Sequence, residues 1–446
     1  MGIGAAAVDS RARRRSSRHP PIASACVVTL VSLALGCDDA AVESCSDGAA
    51  LHVIDGHAYC VYAAGTGPDR GMCPTEAPTL VMRRGLTVCT DDPGPTPTAI
   101  ASLCMERGVV CASEAAGWSR LAGTELLDVC PAREDLHGVV GCEAVVSGWS
   151  GGIADTRHDR MLVWGGGGGS NYFGNEVYAL DVGAATVSRL TEPSDPVTDA
   201  CVSVLPDGRP QSRATYDNLA FVEHAGLMVA WSGQNAGMDC GALGDTWTLD
   251  VTTREWARVE ARVDPARRSL STEGIAASDY DPLTRLVFLH DTYAFFAFEL
   301  ETGTYRFLAD SNVGGGISYA FVGRVDLAAR RFVVIGDGLA RSIDLTEGAD
   351  YAEADLALTG CPELVGSNYP GLAYDPVEQK LVGWAGGSTV YVVDAVADTC
   401  ERRTLDGGPD EPQANGTNGR FRYFTSLDAF VLINAIDEDA WVLRLR

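Results

Sequence analysis

The side chains of this protein with the chemistry to engage a ligand are mainly tyrosines, amides and arginines. One set is Tyr172, Asn175, His290, Asp291 and Asp337; a second is Arg213, Tyr216, Asn368, Tyr369, Asn415 and Arg420. Aromatic faces combined with amides and guanidinium forks are suited to a sugar ring or an acidic group. The same residue types also cap turns and pair with carboxylates, so a structural role competes with the functional one. Other chemistries find less support. No CxxC pair occurs and the histidines are scattered, so no metal site is expected. His52 and His57 read as solvated, and no serine sits in a GxSxG setting. The five glycines of "MLVWGGGGGSNYFGNEVYALDV", residues 161–182, invite comparison with a phosphate loop. Such a loop follows a strand and opens a helix. Here the run leads instead into Val177, Tyr178 and Ala179, which alternate as a second strand. The glycines therefore read as a tight connection between strands.

The elements that must position these residues recur along the chain. Apolar runs begin at Met161, Met228, Leu286, Phe332, Leu381 and Phe430, at steps of 67, 58, 46, 49 and 49 residues. A strand and a polar turn precede each run in most units, as in "SDYDPLTR" and "LAYDPVEQK". A polar or glycine-rich loop, an alternating strand, a turn and a last strand follow, as in "DTWTLDVTTREWARV". Each unit is thus four short strands, and the period is that of propeller blades. Val163-Trp164-Gly165-Gly166, Trp384-Ala385-Gly386-Gly387, and Asp245-Thr246-Trp247 through Leu249-Asp250 to Trp256 carry a resemblance to kelch-type β-propellers. The resemblance extends more distantly to the propeller of galactose oxidase. It implies an all-β fold, a six-bladed kelch-like β-propeller over residues 150–446. The last unit is one strand short of four, and an open blade leaves an unpaired edge. "GWSRLAG", residues 117–123, is expected to fill it, with Trp118 to Leu121 pairing against Ala440 to Leu445.

In such a blade the loops between strands two and three share a face with the loops between blades. Both candidate sets lie in those loops and would ring the mouth of the central channel. The copper-radical chemistry of galactose oxidase would need two histidines, two tyrosines and a cross-linked free cysteine. Only His158, His224 and His290 fall within the repeats, and the first two lie in turns on the other face. No repeated Asp-box of the sialidase kind is present, and no cofactor is expected.

The N-terminal segment carries Arg11, Arg13, Arg14, Arg15 and Arg18, the apolar stretch "IASACVVTLVSLALG", and Ala34-Leu35-Gly36-Cys37 before two aspartates. This resembles a bacterial lipoprotein signal. It implies removal of residues 1–36, a lipid on Cys37 and residence at the outer membrane or cell surface, with ordinary secretion as the alternative. Residues 37–98 then form a tether, a small disulfide-rich module around Cys45, Cys60, Cys73 and Cys89, and the Pro-rich linker "DDPGPTPT". Residues 99–149 lead into the repeats and contain the closing strand. Setting aside Cys26 and Cys37 leaves twelve of the fourteen cysteines, an even number that points to disulfides. Cys201 with Cys240, Cys104 with Cys111, and Cys130 with Cys142 are the expected pairs. Cys361 with Cys400 follows by elimination, although their strand ends do not obviously meet. A formal net charge of −26 repels phosphate and excludes a nucleic-acid partner. These features describe a lipid-anchored cell-envelope binding protein with a glycan or protein ligand at the propeller face. The alternative is an exported carbohydrate-active enzyme with its site at the channel mouth.

Overall fold

Six sheets follow one another along the chain, one for each repeat; five are four-stranded and antiparallel, and that of blade 3 gains a fifth, parallel strand, Arg262–Val263, beside Thr304–Asp310. This computed structural model describes residues 116–198, 200–236, 240–263, 276–311 and 320–446. It also describes the backbone of four earlier strands, Ala49–Ile54, His57–Tyr62, Thr79–Arg83 and Leu86–Thr90. Cys37, Cys104 and Cys111 lie outside the described residues. The four early strands form an antiparallel sheet of their own, and Cys60 within it is disulfide-bonded.

Blade 1 runs from its inner strand Gly151–Asp155 through Arg160–Trp164 and Tyr178–Asp181 to Thr186–Arg189. The inner strands of blades 2 to 6 are Leu219–Val222, Ala276–Asp281, Val322–Asp326, Gly371–Asp375 and Phe421–Phe424. Each inner strand packs beside the next, and that of blade 6 packs beside that of blade 1, so the ring closes. Its closure is the one expected from the sequence. Gly117–Arg120 is the fourth strand of blade 6 and pairs with Trp441–Arg444, with Trp118 opposite Leu443. Trp118 packs there against Trp384, Phe421 and Trp441, at ring separations of 5.9, 6.4 and 6.4 Å.

A repeated local device makes the blades. In four of them the inner strand ends in a buried aspartate whose carboxylate accepts a backbone N–H of the following turn. The pairs are Asp155 with Arg157, Asp281 with Leu283, Asp326 with Ala328 and Asp375 with Val377, at 3.2, 3.1, 3.1 and 2.8 Å. These are Asx-type turns, in which a short carboxylate substitutes for a backbone acceptor. In all six blades the turn returns to the second strand through one residue of positive φ: Asp159, Gly226, Arg285, Arg330, Gln379 or Asp428. Asp181, Asp250, Asp344 and Asp394 cap the turns after the third strands in the same way.

The apolar core lies in the seams between blades. Between blades 1 and 2, for example, Ile153, Leu162 and Trp164 interlock with Phe221, Met228 and Trp247. The five-glycine run is structural. It threads between the short helix Ala144–Ser147 and the entry to blade 2, where a Cβ on Gly167 would fall 2.5 Å from the Arg213 Cα. Gly165, at φ 142°, adopts a backbone conformation open chiefly to glycine.

Three disulfides staple the propeller: Cys130–Cys142, Cys201–Cys240 and Cys361–Cys400. The last pair meets because the connection leaving blade 4 runs alongside the outer strand of blade 5. Thr359 bridges Thr399 in parallel, and the Cys400 N–H donates to the Thr359 carbonyl at 3.2 Å. The pattern of strands in the sequence does not reveal that contact. Disulfides fit an oxidising compartment outside the cytoplasm. Among the described residues no helix is long and apolar enough to cross a membrane.

Candidate functional site

Three layers of side chains cross the central channel. At the face carrying the inter-blade loops, Tyr216 and Tyr369 enter from blades 2 and 5, which stand opposite each other, and their rings meet at 5.8 Å. Both are 6% exposed. Each precedes an inner strand with φ of 47°, and Trp149, before blade 1, has φ of 54°. Positive φ at a bulky aromatic residue costs on the order of 1–3 kcal/mol and persists only where surrounding contacts impose it. Here the Tyr216 N–H donates to the Trp149 carbonyl at 2.7 Å. The Tyr369 N–H donates to Ala320, and its carbonyl accepts from Thr417, both at 2.8 Å.

Beneath the tyrosines, Arg324 of blade 4 donates from Nη1 and Nη2 to Asp217 of blade 2 at 2.7 and 2.8 Å. Both are buried, and the Gly323 N–H adds a third bond to the same carboxylate at 3.0 Å. A third layer brings Arg422 of blade 6 within 3.7 Å of Asp279 of blade 3, again from opposite sides. Arg422 donates to the carbonyls of Gly152 and Gly419. Arg420 donates only to carbonyls, those of Ile433, Ser150 and Gly416. Burial pulls these two guanidinium groups down, to about 10 and about 9, and both stay cationic at neutral pH. Burial raises the Asp279 carboxyl. The channel is thus cross-braced and closed at its upper mouth.

The residues singled out from the sequence divide between this mouth and the interior. Tyr216 and Tyr369 form its floor. Asn368 is exposed beside Tyr369, and Asp337 is exposed nearby, its N–H bonded to the Ser367 carbonyl at 2.9 Å. Asn415 is half-buried and donates to the Ser147 carbonyl at 2.6 Å. Arg420 is buried in the braces. The others are buried elsewhere. Asn175 is spanned by Ser194 and Pro210, and Arg213 pairs with Asp245 at 2.6 Å, 5.6 Å from the Trp164 ring. Tyr172 and Tyr178 both donate to the Oε1 of Glu176, whose carboxyl burial pushes up. The Asp291 carboxylate caps the turn at Tyr293 and Ala294.

Several residues at the channel were missed in the sequence. Trp149, half-buried, completes the aromatic floor, with its ring next to Gly169. Gln234 accepts the Tyr216 hydroxyl at 3.3 Å. Thr417 Oγ1 and Asn418 Oδ1 are buried without a bonding partner. A signal for the braces was present: Asp279, Arg324 and Arg422 interrupt otherwise apolar inner strands, as in "VGRVD" and "FRYF".

One group outside the channel looks catalytic in composition. His290 Nε2 lies 2.9 Å from the Ser311 hydroxyl and 4.0 Å from the Glu353 carboxylate. A serine–histidine–acid relay needs its acid on the other ring nitrogen. Here serine and acid share Nε2, and the buried Nδ1 has no partner. Burial pulls the imidazole down to about 3, so it is a poor base. Among the described residues no group of three or more His, Cys, Asp or Glu is placed to hold a metal ion.

No protein-family profile matches this chain, and no curated protein matches it. A solved structure titled "Structure of YjhT" aligns over 66% of this chain and 92% of its own, at 11% identity and a TM-score of 0.42. A likeness at that level carries no argument about ligand or activity. The six-bladed architecture stands on the sheet topology.

Proposed function

We propose that this protein is a lipid-anchored binding protein of the bacterial cell envelope, built on a kelch-type propeller, whose inter-blade loop face holds a neutral glycan chain. The observation that carries the reading is the closed mouth. Half-buried Trp149 lies beside the nearly buried Tyr216–Tyr369 pair, Gln234, Asn368 and Asn415 surround them, and Asp337 is the one acidic side chain among these groups. Ring faces with a rim of amides suit the alternating apolar and hydroxyl surfaces of a sugar. A shallow surface suits an extended chain better than a small substrate. The enzyme alternative would need two facing carboxylates at the mouth, and these groups include one carboxylic acid, Asp337. Three disulfides and the Cys37 context support the exported, anchored location.

A glycan array with wild type and Trp149→Ala tests the ligand. The expected outcome is binding to neutral glycans that weakens about tenfold in the variant, an energy of about 1.4 kcal/mol. Binding confined to acidic glycans, or unaffected by the substitution, would overturn the reading. Mass spectrometry of the mature N-terminus tests the anchor, and an unlipidated Cys37 would remove it.

A further inference from the structure

On the face of the first-to-second-strand turns, two hydrogen bonds run in series through one imidazole. His224, in that turn of blade 2, has Nε2 3.0 Å from Glu301 Oε1 and Nδ1 2.8 Å from the Tyr280 hydroxyl. Tyr280 lies near the end of the blade 3 inner strand, Ala276–Asp281, and its ring stacks on the imidazole at 5.8 Å. Glu301 lies in the turn between Ala294–Glu299 and Thr304–Asp310 of the same blade. Chemistry fixes the direction of each bond. A local backbone bond, and after it the bond from His224, holds the Glu301 carboxyl below its usual 4.5. It is ionised at neutral pH and can only accept. Nε2 therefore carries the ring proton, and in the neutral ring Nδ1 accepts the phenol O–H. Acid and hydroxyl thus occupy opposite ring nitrogens, the arrangement that the His290 group lacks.

This relay is open to solvent. The His224 side chain keeps 25% of its surface accessible and that of Glu301 keeps 63%, while Tyr280 is half-buried. Arg157 Nη2 donates to the His224 carbonyl at 2.7 Å and steadies the turn that carries the imidazole. Burial raises the Tyr280 phenol, with Glu223 and Asp281 adding to the rise and Arg285 opposing it. The phenol therefore stays protonated at neutral pH. Its oxygen becomes a nucleophile only when a base takes the proton as the new bond forms. His224 Nδ1 stands in that position.

We propose that Tyr280 accepts acyl groups from aryl esters, with His224 as its general base and Glu301 as the residue that orients the imidazole. Tyr280 Oη bonds to the ester carbonyl carbon, and its proton passes to His224 Nδ1. The imidazolium, paired with Glu301, returns that proton to the leaving oxygen as the old ester bond breaks. The products are an O-acyl tyrosine and the released phenol. A tyrosine phenol ionises at about 10, so transfer runs forward only when the displaced group leaves more readily, as an electron-poor phenol does. A small donor reaches the hydroxyl from solvent, and the site needs no enclosed cavity. This activity is separate from the glycan surface at the opposite mouth and does not rest on it.

Treating the intact protein with 4-nitrophenyl acetate and locating the acetyl groups by peptide mass spectrometry tests the proposal. Tyr280 should be acetylated, while Tyr293, more exposed at 46%, stays unmodified over the same period. His224→Gln should slow acetylation of Tyr280 about 100-fold. Glu301→Gln should slow it less and lower the midpoint of its pH profile, since a carboxylate beside an imidazole favours the protonated ring. Near-UV circular dichroism reports whether each variant is folded, and Glu301→Gln, at an exposed turn, keeps the test decisive if His224→Gln is not. Absence of acetyl on Tyr280, or acetylation of Tyr293 at the same rate, would overturn the proposal. Equal rates at Tyr280 in wild type and His224→Gln would also overturn it. An unmoved pH midpoint in Glu301→Gln would remove Glu301 from the relay.

Discussion

Glu176 shows what a single residue experiences inside this fold. Two phenols donate to its Oε1, and its Oε2 is buried without a partner. Burial therefore raises its carboxyl above the ordinary 4.5, with the phenol bonds opposing the shift. The unfolded chain ionises near 4.5 while the folded protein holds its proton to higher pH. Between the two values the unfolded state binds fewer protons, so stability falls as pH rises through that window. The full contribution of the protonated carboxyl is present below 4.5. Glu176→Gln keeps the acceptor and cannot ionise. Urea denaturation of wild type and variant at pH 4.5 and pH 8 should find the variant more stable by about 1–3 kcal/mol at pH 8, with a smaller difference at pH 4.5. An identical pH dependence in the two proteins would show that the carboxyl is ionised in the fold.

At the scale of elements, the blade is made by a turn rather than by strand propensity. In four blades a buried aspartate ends the inner strand and accepts from the turn backbone, and in all six one residue of positive φ leads into the second strand. This unit was legible in the sequence as the polar stretch before each apolar run, because every bond in it is local. The closing strand is the exception, since its partner lies more than 300 residues away. It was legible because an incomplete blade and an unclaimed Trp-x-x-Leu segment leave few other pairings. Trp118 carries that closure, 8% exposed among three aromatic rings. Trp118→Ala should cost about 3–5 kcal/mol, the range for truncating a core aromatic residue. The loss should appear as one transition at lower denaturant, because the strand ties both ends of the ring. Two resolved transitions, or an unmoved midpoint, would mean that the other blades hold without it.

Across the whole molecule the braces of the channel couple blades that no local contact joins. Asp217 and Arg324 are both buried, and each satisfies the other's charge. Removing one leaves the other uncompensated, at a cost of about 3–5 kcal/mol. Asp217→Ala should therefore destabilise the protein strongly. Asp217→Leu combined with Arg324→Met, which removes both charges and refills the space, should cost less than the two single changes added together. Equilibrium denaturation of the three variants measures this coupling, and strict additivity would show that the pair acts independently.

By itself the sequence determined the number of blades, their order, the turns within them and the strand that closes the ring. All of these follow from spacing, alternation and local turn chemistry. Only the tertiary structure decided which polar loop residues face solvent. Asn175 lies in a connection of the expected kind, whereas Arg213 begins a short strand and His290 lies in the second strand of blade 3; the partners of all three come from other segments, and those contacts bury them. Tyr216 and Tyr369 were expected at a mouth, and the structure joins them into the seal across it. Asp279 and Arg422 were passed over because a charge inside an apolar strand acquires meaning only when its counter-charge arrives from the opposite blade. Periodicity governs what neighbours in the chain do. Burial and charge pairing depend on what the closed ring brings together.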